Sequence, residues 1–197
     1  NKHIMKLSIC VPCRDQVHTL FTRSLVNLTN RLTRKEIDFE LHLFAGSVIC
    51  ESRTRLVEEA LSVNSDKILF LDSDIQFPSN MIDKLYSHNK DICAATYSTR
   101  YEPMQSVAFV DPDNPAKRLK ENGLHKIWAV GMGCMLIDID VFHTLPKPWF
   151  VHEYNKIDDS FSGEDIYFCN QAMHHGIDVW VDTEIKLGHL GTKAYTL

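Results

Sequence analysis

The chain has 197 residues, of which 44% are hydrophobic and 24% are charged, and its formal net charge is −5. This size and composition are typical of a globular chain that buries its own core, so we expect one domain over residues 1–197. The acidic balance argues against a nucleic-acid-binding surface, and no stretch approaches the roughly 18 consecutive apolar residues of a transmembrane helix.

The first half of the chain alternates between strands and helices. Apolar patterning predicts strands over 7–11, 39–44, 68–71 and 91–97, and helices over 16–35, 51–63 and 79–88. Such alternation predicts an α/β fold with a mostly parallel central sheet and helices on both faces. We expect a nucleotide-binding half over about 1–97.

The second half is richer in turn residues. Turn chemistry dominates 98–126, and 127–139 is predicted to be a strand pair or a bent strand interrupted by two glycines. A mobile loop over 146–162, a helix over 164–175, a strand over 178–182 and a polar tail complete the prediction. We expect an irregular, loop-rich half over about 98–197.

Two aspartates follow the third predicted strand, in the segment Lys67-Ile-Leu-Phe-Leu-Asp72-Ser-Asp74. Ligands of open α/β sheets bind beyond the carboxyl ends of such strands. In an extended chain, residues two apart point the same way, so the two carboxylates are expected side by side, where they favour a divalent cation and a phosphate-bearing substrate. The alternative is that the pair caps a helix that begins near Pro78-Ser79-Asn80.

Two further motifs carry candidate chemistry. Gly163-Glu164-Asp165 places two acids in the first turn of a predicted helix, where they either favour the helix dipole or supply a general base. His189 lies between two glycines and is either a buried structural histidine or a ligand for a transition-type metal.

Several basic residues fall near predicted strand ends, where they either bind phosphate or form surface ion pairs. They are Arg14, Arg53, Arg55 and Arg100.

The six cysteines lie mostly inside apolar runs, without the dense spacing of a secreted disulfide framework, so a reducing cytoplasm is the expected location. The spacing of Cys10 and Cys13 also fits a redox motif, but that interpretation leaves the acidic residues unexplained. Met5 is a candidate translation start, in which case residues 1–4 are not native.

In chain order, these motifs resemble a compact glycosyltransferase of the GT-A fold, near the large inverting family 2. They are most similar to the short stand-alone versions found in bacteriophages, large DNA viruses and bacteria. The resemblance therefore implies a bacterial or virus-infected host cytoplasm. The matching segments are Val11-Pro12-Cys-Arg14-Asp15, Glu51-Ser52-Arg53, Ile68-Leu-Phe-Leu-Asp72-Ser-Asp74, Gly131-Met-Gly-Cys-Met-Leu-Ile137, Gly163-Glu-Asp165 and Gly188-His-Leu-Gly191.

The resemblance implies a nucleotide-diphosphate sugar donor, a glycan, glycoprotein or other hydroxyl acceptor, and Mn²⁺ or Mg²⁺ as cofactor. Asp74 and His189 would hold the metal, and Asp72 would contact the donor ribose or the water shell of the metal. Asp165 would be the base, and Glu164 would position donor or acceptor. The remaining donor-side residues would be Pro12, Arg14, Arg53, Ser73 and Gly133. Trp149 and Phe150 would stack against an acceptor ring.

Three alternatives stay open beside an inverting transferase. A retaining transferase would place no base at Asp165. A haloacid-dehalogenase-like phosphatase also carries Asp-X-Asp after an apolar strand, although Ile75-Gln76 does not match the residues expected next. A domain that binds a nucleotide sugar or glycan without turnover is the non-enzymatic alternative.

Overall fold

A computed structural model describes residues 5–114, 116–156 and 159–191. Parts of several predictions lie outside the described residues: positions 1–4, Pro115 in the predicted turns, positions 157 and 158 of the predicted mobile loop, and 192–197 of the polar tail. Within the described part of the chain, no helix is both long enough and apolar enough to cross a bilayer.

The described residues contain thirteen strands and five helices. The first half contains β1 (Lys6–Cys13), α1 (Thr19–Arg34), β2 (Asp38–Ala45), α2 (Ile49–Ser62), β3 (Lys67–Leu71), β4 (Ile75–Gln76), α3 (Met81–Ser87) and β5 (Ile92–Ala95). The second half contains β6 (Ala108–Phe109), β7 (Leu124–Ile127), β8 (Ala129–Val130), β9 (Cys134–Asp138), α4 (Ile139–Thr144), β10 (Glu153–Asn155), β11 (Ser160–Ser162), α5 (Glu164–His174), β12 (Val179–Asp182) and β13 (Gly188–His189).

The strands and helices predicted for the first half are all present, with their ends shifted by a few residues. The largest shift is at α1, which begins at Thr19 rather than at 16. The reason is local, because the Nδ1 atom of His18 accepts a hydrogen bond from the Leu20 N–H at 3.2 Å and so caps the helix there.

Seven strands form the central sheet in the order β2-β1-β3-β9-β5-β12-β7. β1 is parallel to β2 and β3, and β5 is parallel to β12, whereas β9 and β7 run antiparallel to their neighbours. The fold is α/β with a mostly parallel sheet, as predicted. The prediction of a strand pair or bent strand over 127–139 missed the separate role of β9, which lies between β3 and β5 with both faces buried.

The core consists of two apolar layers, one on each face of the sheet. Ile68 and Phe70 of β3 pack on the side of α2, α4 and α5, while Leu69 and Leu71 pack on the side of α1 and α3. All four side chains are fully buried, and each contributes roughly 1.5–3 kcal/mol to stability. This burial fixes the register of β3 and therefore the position of the acidic segment that follows it.

The predicted mobile loop over 146–162 contributes to this core at its beginning. Trp149 and Phe150 are 4% and 3% exposed, and their rings pack against Phe142 and Phe168. The expectation that the two rings stack against an acceptor is therefore wrong, because both rings are buried in the apolar layer beneath α4 and α5.

Candidate functional site

A cavity of about 600 Å³ opens at the carboxyl ends of β1, β2 and β3. This is the edge of an α/β sheet at which ligands bind, and small-ligand sites have volumes of roughly 300–1,000 Å³. The side chains around it come from loops that follow the three strands, from the first turns of α2 and α5, and from His152. The lining residues are Pro12, Cys13, Arg14, Gln16, Gly46, Ser47, Val48, Ile49, Ser52, Arg53, Asp72, Ser73, Asp74, His152 and Glu164.

Most of the residues predicted for the site line this cavity, and the other three adjoin residues that do. The Gly133 carbonyl accepts a hydrogen bond from the Asp72 N–H at 3.0 Å. His189 lies beside Asp74, and Asp165 follows Glu164 in α5.

Arg53 is the buried cation of the site. Its side chain is 3% exposed and donates to Asp72 Oδ1 at 2.9 Å and to Glu164 Oε1 at 3.0 Å. Burial lowers the pKa of the guanidinium, but the two carboxylates outweigh that effect and the net pKa is raised. Arg53 therefore joins the loop after β3 to the first turn of α5. Arg55, by contrast, lies on the surface and pairs with Glu58 at 3.3 Å.

The sequence pattern predicted that the two aspartates after β3 lie in extended chain, and this prediction is wrong. The Ile75 N–H donates to the Asp72 carbonyl at 3.1 Å, so the backbone turns between them. Asp72 faces Arg53, whereas Asp74 faces Arg100 and His189. The alternative of a helix-capping pair is also wrong, because α3 begins only at Met81.

Asp74 and His189 are held together by a short antiparallel pairing of β4 with β13. His189 is the register partner of Ile75, and the Leu190 N–H donates to the Asp74 carbonyl at 2.7 Å. The His189 Nδ1–H donates to the Ser98 carbonyl at 2.8 Å, which leaves Nε2 facing Asp74 Oδ2 at 3.6 Å. The predicted proximity of the two residues is therefore present.

Arg100 occupies the other side of the Asp74 carboxylate. Its guanidinium donates to Asp74 Oδ2 at 2.8 Å and to the Leu190 carbonyl at 3.0 Å, and its side chain is 50% exposed. Burial raises the pKa of Asp74, but the neighbouring His189 and Arg100 bring it below its usual value. Within the described residues, no group of three or more His, Cys, Asp and Glu side chains forms a ready metal site.

Asp165 combines a half-buried carboxyl with an unusual pKa. Burial and then the adjacent Glu164 carboxylate raise the pKa of Asp165 to about 6. Its Oδ1 accepts the Ile166 N–H at 2.8 Å, and a Cβ at Gly163 would lie only 2.5 Å from that oxygen. The glycine therefore allows this side-chain conformation. A carboxylate whose pKa approaches neutrality is suited to accept a proton in catalysis.

Tyr97 is a residue of the site that the sequence analysis missed. Its hydroxyl oxygen accepts the Gly133 N–H at 3.1 Å, and its ring meets His189 edge-on at 5.0 Å between centroids. Cβ atoms at Gly131 and Gly133 would lie 2.6 Å and 2.7 Å from the Tyr97 side chain. The Gly-Met-Gly segment is therefore explained by the space that this ring needs.

The Cys10 and Cys13 pair does not form a reactive dithiol. Both thiols are free, and burial raises the pKa of each above its ordinary value. Each Sγ also lies near a different carbonyl, that of Leu56 for Cys10 and that of Phe44 for Cys13. Because thiol–disulfide chemistry needs a thiolate, the geometry disfavours the redox interpretation.

Comparison with known proteins defines the class of the fold. No protein-family model and no curated protein sequence matches the chain. A197 from STIV is 16% identical, with a TM-score of 0.65 over 95% of this chain and 86% of its own. A mutant Drosophila beta-1,4-galactosyltransferase 7, in complex with manganese, UDP-Gal and xylobiose, is also 16% identical, with a TM-score of 0.53 over 96% of this chain and 72% of its own.

The chain has the GT-A fold, as the resemblance of its motifs implied. At such low identity the likeness concerns the path of the backbone. Residue roles in this chain therefore rest on its own geometry.

Proposed function

We propose that the chain is a metal-dependent glycosyltransferase that moves a sugar from a nucleotide-diphosphate sugar to a hydroxyl acceptor. One observation carries the proposal: on a GT-A fold, the Asp74–His189 pair and the Glu164–Asp165 pair flank a single cavity at the carboxyl ends of parallel strands. The galactosyltransferase of similar fold forms a complex with manganese and UDP-Gal, which supports the same class of donor and cofactor.

In this proposal the nucleotide lies in the half of the cavity built by β1, β2 and α2. Pro12, Arg14 and Arg53 line that half, with Arg14 exposed at its rim and Arg53 buried at its base. Asp72 and Ser73 line the cavity next to Asp74 and would contact the donor there. Gly133 supports the position of Asp72 from below through its backbone carbonyl.

The Asp74–His189 pair fits a divalent cation. Two atoms that each lie about 2.1 Å from one cation are at most about 4.2 Å apart, and Asp74 Oδ2 and His189 Nε2 are separated by 3.6 Å. The Nδ1–H bond to the Ser98 carbonyl sets the tautomer in which Nε2 carries the free lone pair. Oxygen plus imidazole suits Mn²⁺, although Mg²⁺ remains a candidate. A bound cation would supply charge neutralisation for the departing diphosphate.

Asp165 is the proposed base, and its position supports an inverting reaction. Its carboxylate would take the proton from the acceptor hydroxyl as that oxygen attacks the anomeric carbon of the sugar. Glu164, fixed by Arg53, would position donor or acceptor beside it. A retaining reaction would need no base here, and the anomeric configuration of the product distinguishes the two. The GT-A fold also favours the transferase over the phosphatase alternative.

Thermal-shift measurements with a panel of nucleotide sugars test the donor site. A ligand at 100 times its dissociation constant stabilises by about 2.7 kcal/mol, which corresponds to roughly 5–11 °C for a chain of this size. We expect one donor to give such a shift. Addition of Mn²⁺ should increase this thermal shift in the wild type but should not change it in Asp74→Ala.

Asp178→Ala is the matched control, because Asp178 is a surface acid that directly precedes β12, at the opposite end of the parallel strands. It should retain the full Mn²⁺-dependent shift. If Mn²⁺ leaves the wild-type affinity for every nucleotide sugar unchanged, the donor role of Asp74 is wrong.

A further inference from the structure

Two exposed aromatic side chains face each other across the separate two-stranded ladder of β10 and β11. Tyr154 is the register partner of Phe161, and their ring centroids are 5.0 Å apart at an interplanar angle of 45°. Tyr154 is 47% exposed and Phe161 is 75% exposed. Among the described residues, the ladder forms a sheet of its own, and the two apolar layers of the core do not include either ring.

The two strands that carry this aromatic pair adjoin residues of the proposed active site in the chain. His152, just before β10, lines the cavity, and its Nε2 is 3.6 Å from Glu164 Oε2. At the other end, β11 continues through Gly163 directly into the acids of α5. Asp165 is the fourth residue after Phe161 in the chain, so their Cα atoms are at most about 14 Å apart, a span that one or two sugar rings bridge.

The surroundings of the rings favour a sugar over an apolar peptide. The polar group shown beside the rings is the exposed Asp159 carboxylate, to which the Tyr154 hydroxyl donates and which orients that ring. A pyranose offers one face of C–H bonds to an aromatic ring and a rim of hydroxyls to polar groups. An apolar segment would offer no further donor to the Asp159 carboxylate, whereas a sugar hydroxyl would.

We propose that the Tyr154–Phe161 pair is the acceptor platform, on which the pyranose ring of a glycan acceptor stacks with a hydroxyl directed toward Asp165. This inference rests on the proposed glycosyltransferase function and narrows the acceptor to a sugar. It replaces Trp149 and Phe150, whose rings are buried.

The test combines binding and transfer. Saturation-transfer NMR is recorded with a panel of methyl glycosides and disaccharides in the presence of nucleoside diphosphate and Mn²⁺, and the acceptor KM is then measured with the sugars that bind. Phe161→Ala should raise the acceptor KM roughly three- to tenfold, in line with the strength of aromatic stacking, while kcat at saturating acceptor changes less. Phe161→Trp should keep the wild-type KM. Tyr86→Ala removes an equally exposed ring, 46% exposed, from the distant α3 and should also behave as the wild type.

Several outcomes would overturn the platform. One is an unchanged acceptor KM in Phe161→Ala, and another is an acceptor KM in Phe161→Trp that rises as much as in Phe161→Ala. A third is a wild-type protein that binds no sugar of the panel but transfers to an apolar peptide. Release of nucleoside diphosphate by the wild type without acceptor tests the proposed function separately. If the wild type releases nucleoside diphosphate but one of the outcomes above is observed, only the acceptor inference is wrong. If no donor is cleaved at all, both the proposed function and the acceptor platform are wrong.

Discussion

Replacement of Arg53 by methionine tests the charge network beneath the cavity. The side chain is 3% exposed and is shared by Asp72 at 2.9 Å and Glu164 at 3.0 Å, so its loss leaves two carboxylates facing each other without a cation. Breaking a buried ion pair in this way costs about 3–5 kcal/mol. For a chain of this size, that loss lowers the melting temperature by roughly 6–20 °C. Urea unfolding at pH 7 measures the free energy of unfolding directly.

Arg55→Met is the matched control on the same helix. Its guanidinium pairs with Glu58 at 3.3 Å, and its side chain is 57% exposed, so we expect a change within about 0.5 kcal/mol. Glu164→Gln combined with Arg53→Met should recover part of the lost free energy of unfolding, because one of the two carboxylates left without a cation is removed. If Arg53→Met loses less than about 1 kcal/mol, the network does not hold the site together and the reasoning is wrong.

Three further predictions concern the metal pair, the base and the glycine segment. Arg100→Gln frees the Asp74 carboxylate from an exposed ion pair of about 1 kcal/mol at most, so calorimetry should show Mn²⁺ binding tightened by up to about fivefold. Because the pKa of Asp165 is raised to about 6, the transfer rate should rise with pH through that value and then level off, as a pH–rate profile would show. Gly133→Ala should lower the free energy of unfolding by about 1–3 kcal/mol in a urea titration, because the new Cβ would lie 2.7 Å from the Tyr97 ring.

The raised pKa of Asp165 also affects stability. The folded state holds this proton more tightly than the unfolded chain, whose pKa is near 3.8. The resulting stabilisation is complete below that value and is lost as the pH rises through about 6. Asp165→Asn should lack this loss between pH 4 and 6 in urea titrations.

The predictions for Arg100→Gln, for the pH–rate profile and for Gly133→Ala each have a contrary outcome. Weaker Mn²⁺ binding in Arg100→Gln would mean that the guanidinium supports the metal pair instead of competing with it. A transfer rate that is flat between pH 5 and 7 would exclude Asp165 as the base. Gly188→Ala is the control for the glycine segment, since its Cβ would meet Gln76 at an ordinary 3.4 Å, and equal losses in both variants would show that Tyr97 crowding is not the cause.

The sequence was sufficient for the local elements and for most cavity residues. Periodicity depends on nearest neighbours in the chain, so the alternation that defines β3 and α2 is visible without a structure. The rule that ligands bind at carboxyl strand ends then located Asp72, Asp74 and Arg53 at one cavity.

The features that the sequence did not reveal depend on long-range contacts. The direction and central place of β9 depend on pairing with β3 and β5, which its apolar run does not encode. Phe150 was mistaken for an acceptor-stacking ring because its burial comes from Phe70 of β3 and Phe168 of α5, which lie far from it in the chain. Tyr97 lies beside the site through contacts with Gly133 and His189. The two glycines were the only signal for Tyr97.

Phosphorus NMR of each nucleotide sugar, incubated with the protein, Mn²⁺ and a sugar acceptor, tests the proposed glycosyltransferase activity. We expect the wild type and the Asp178→Ala control to convert the donor diphosphate ester to free nucleoside diphosphate, with the sugar recovered on the acceptor in inverted configuration. Neither Asp74→Ala nor Asp165→Asn should catalyse the conversion. Full transfer by Asp165→Asn would contradict the base assignment, and a wild type that binds a donor but never releases nucleoside diphosphate would contradict the glycosyltransferase itself.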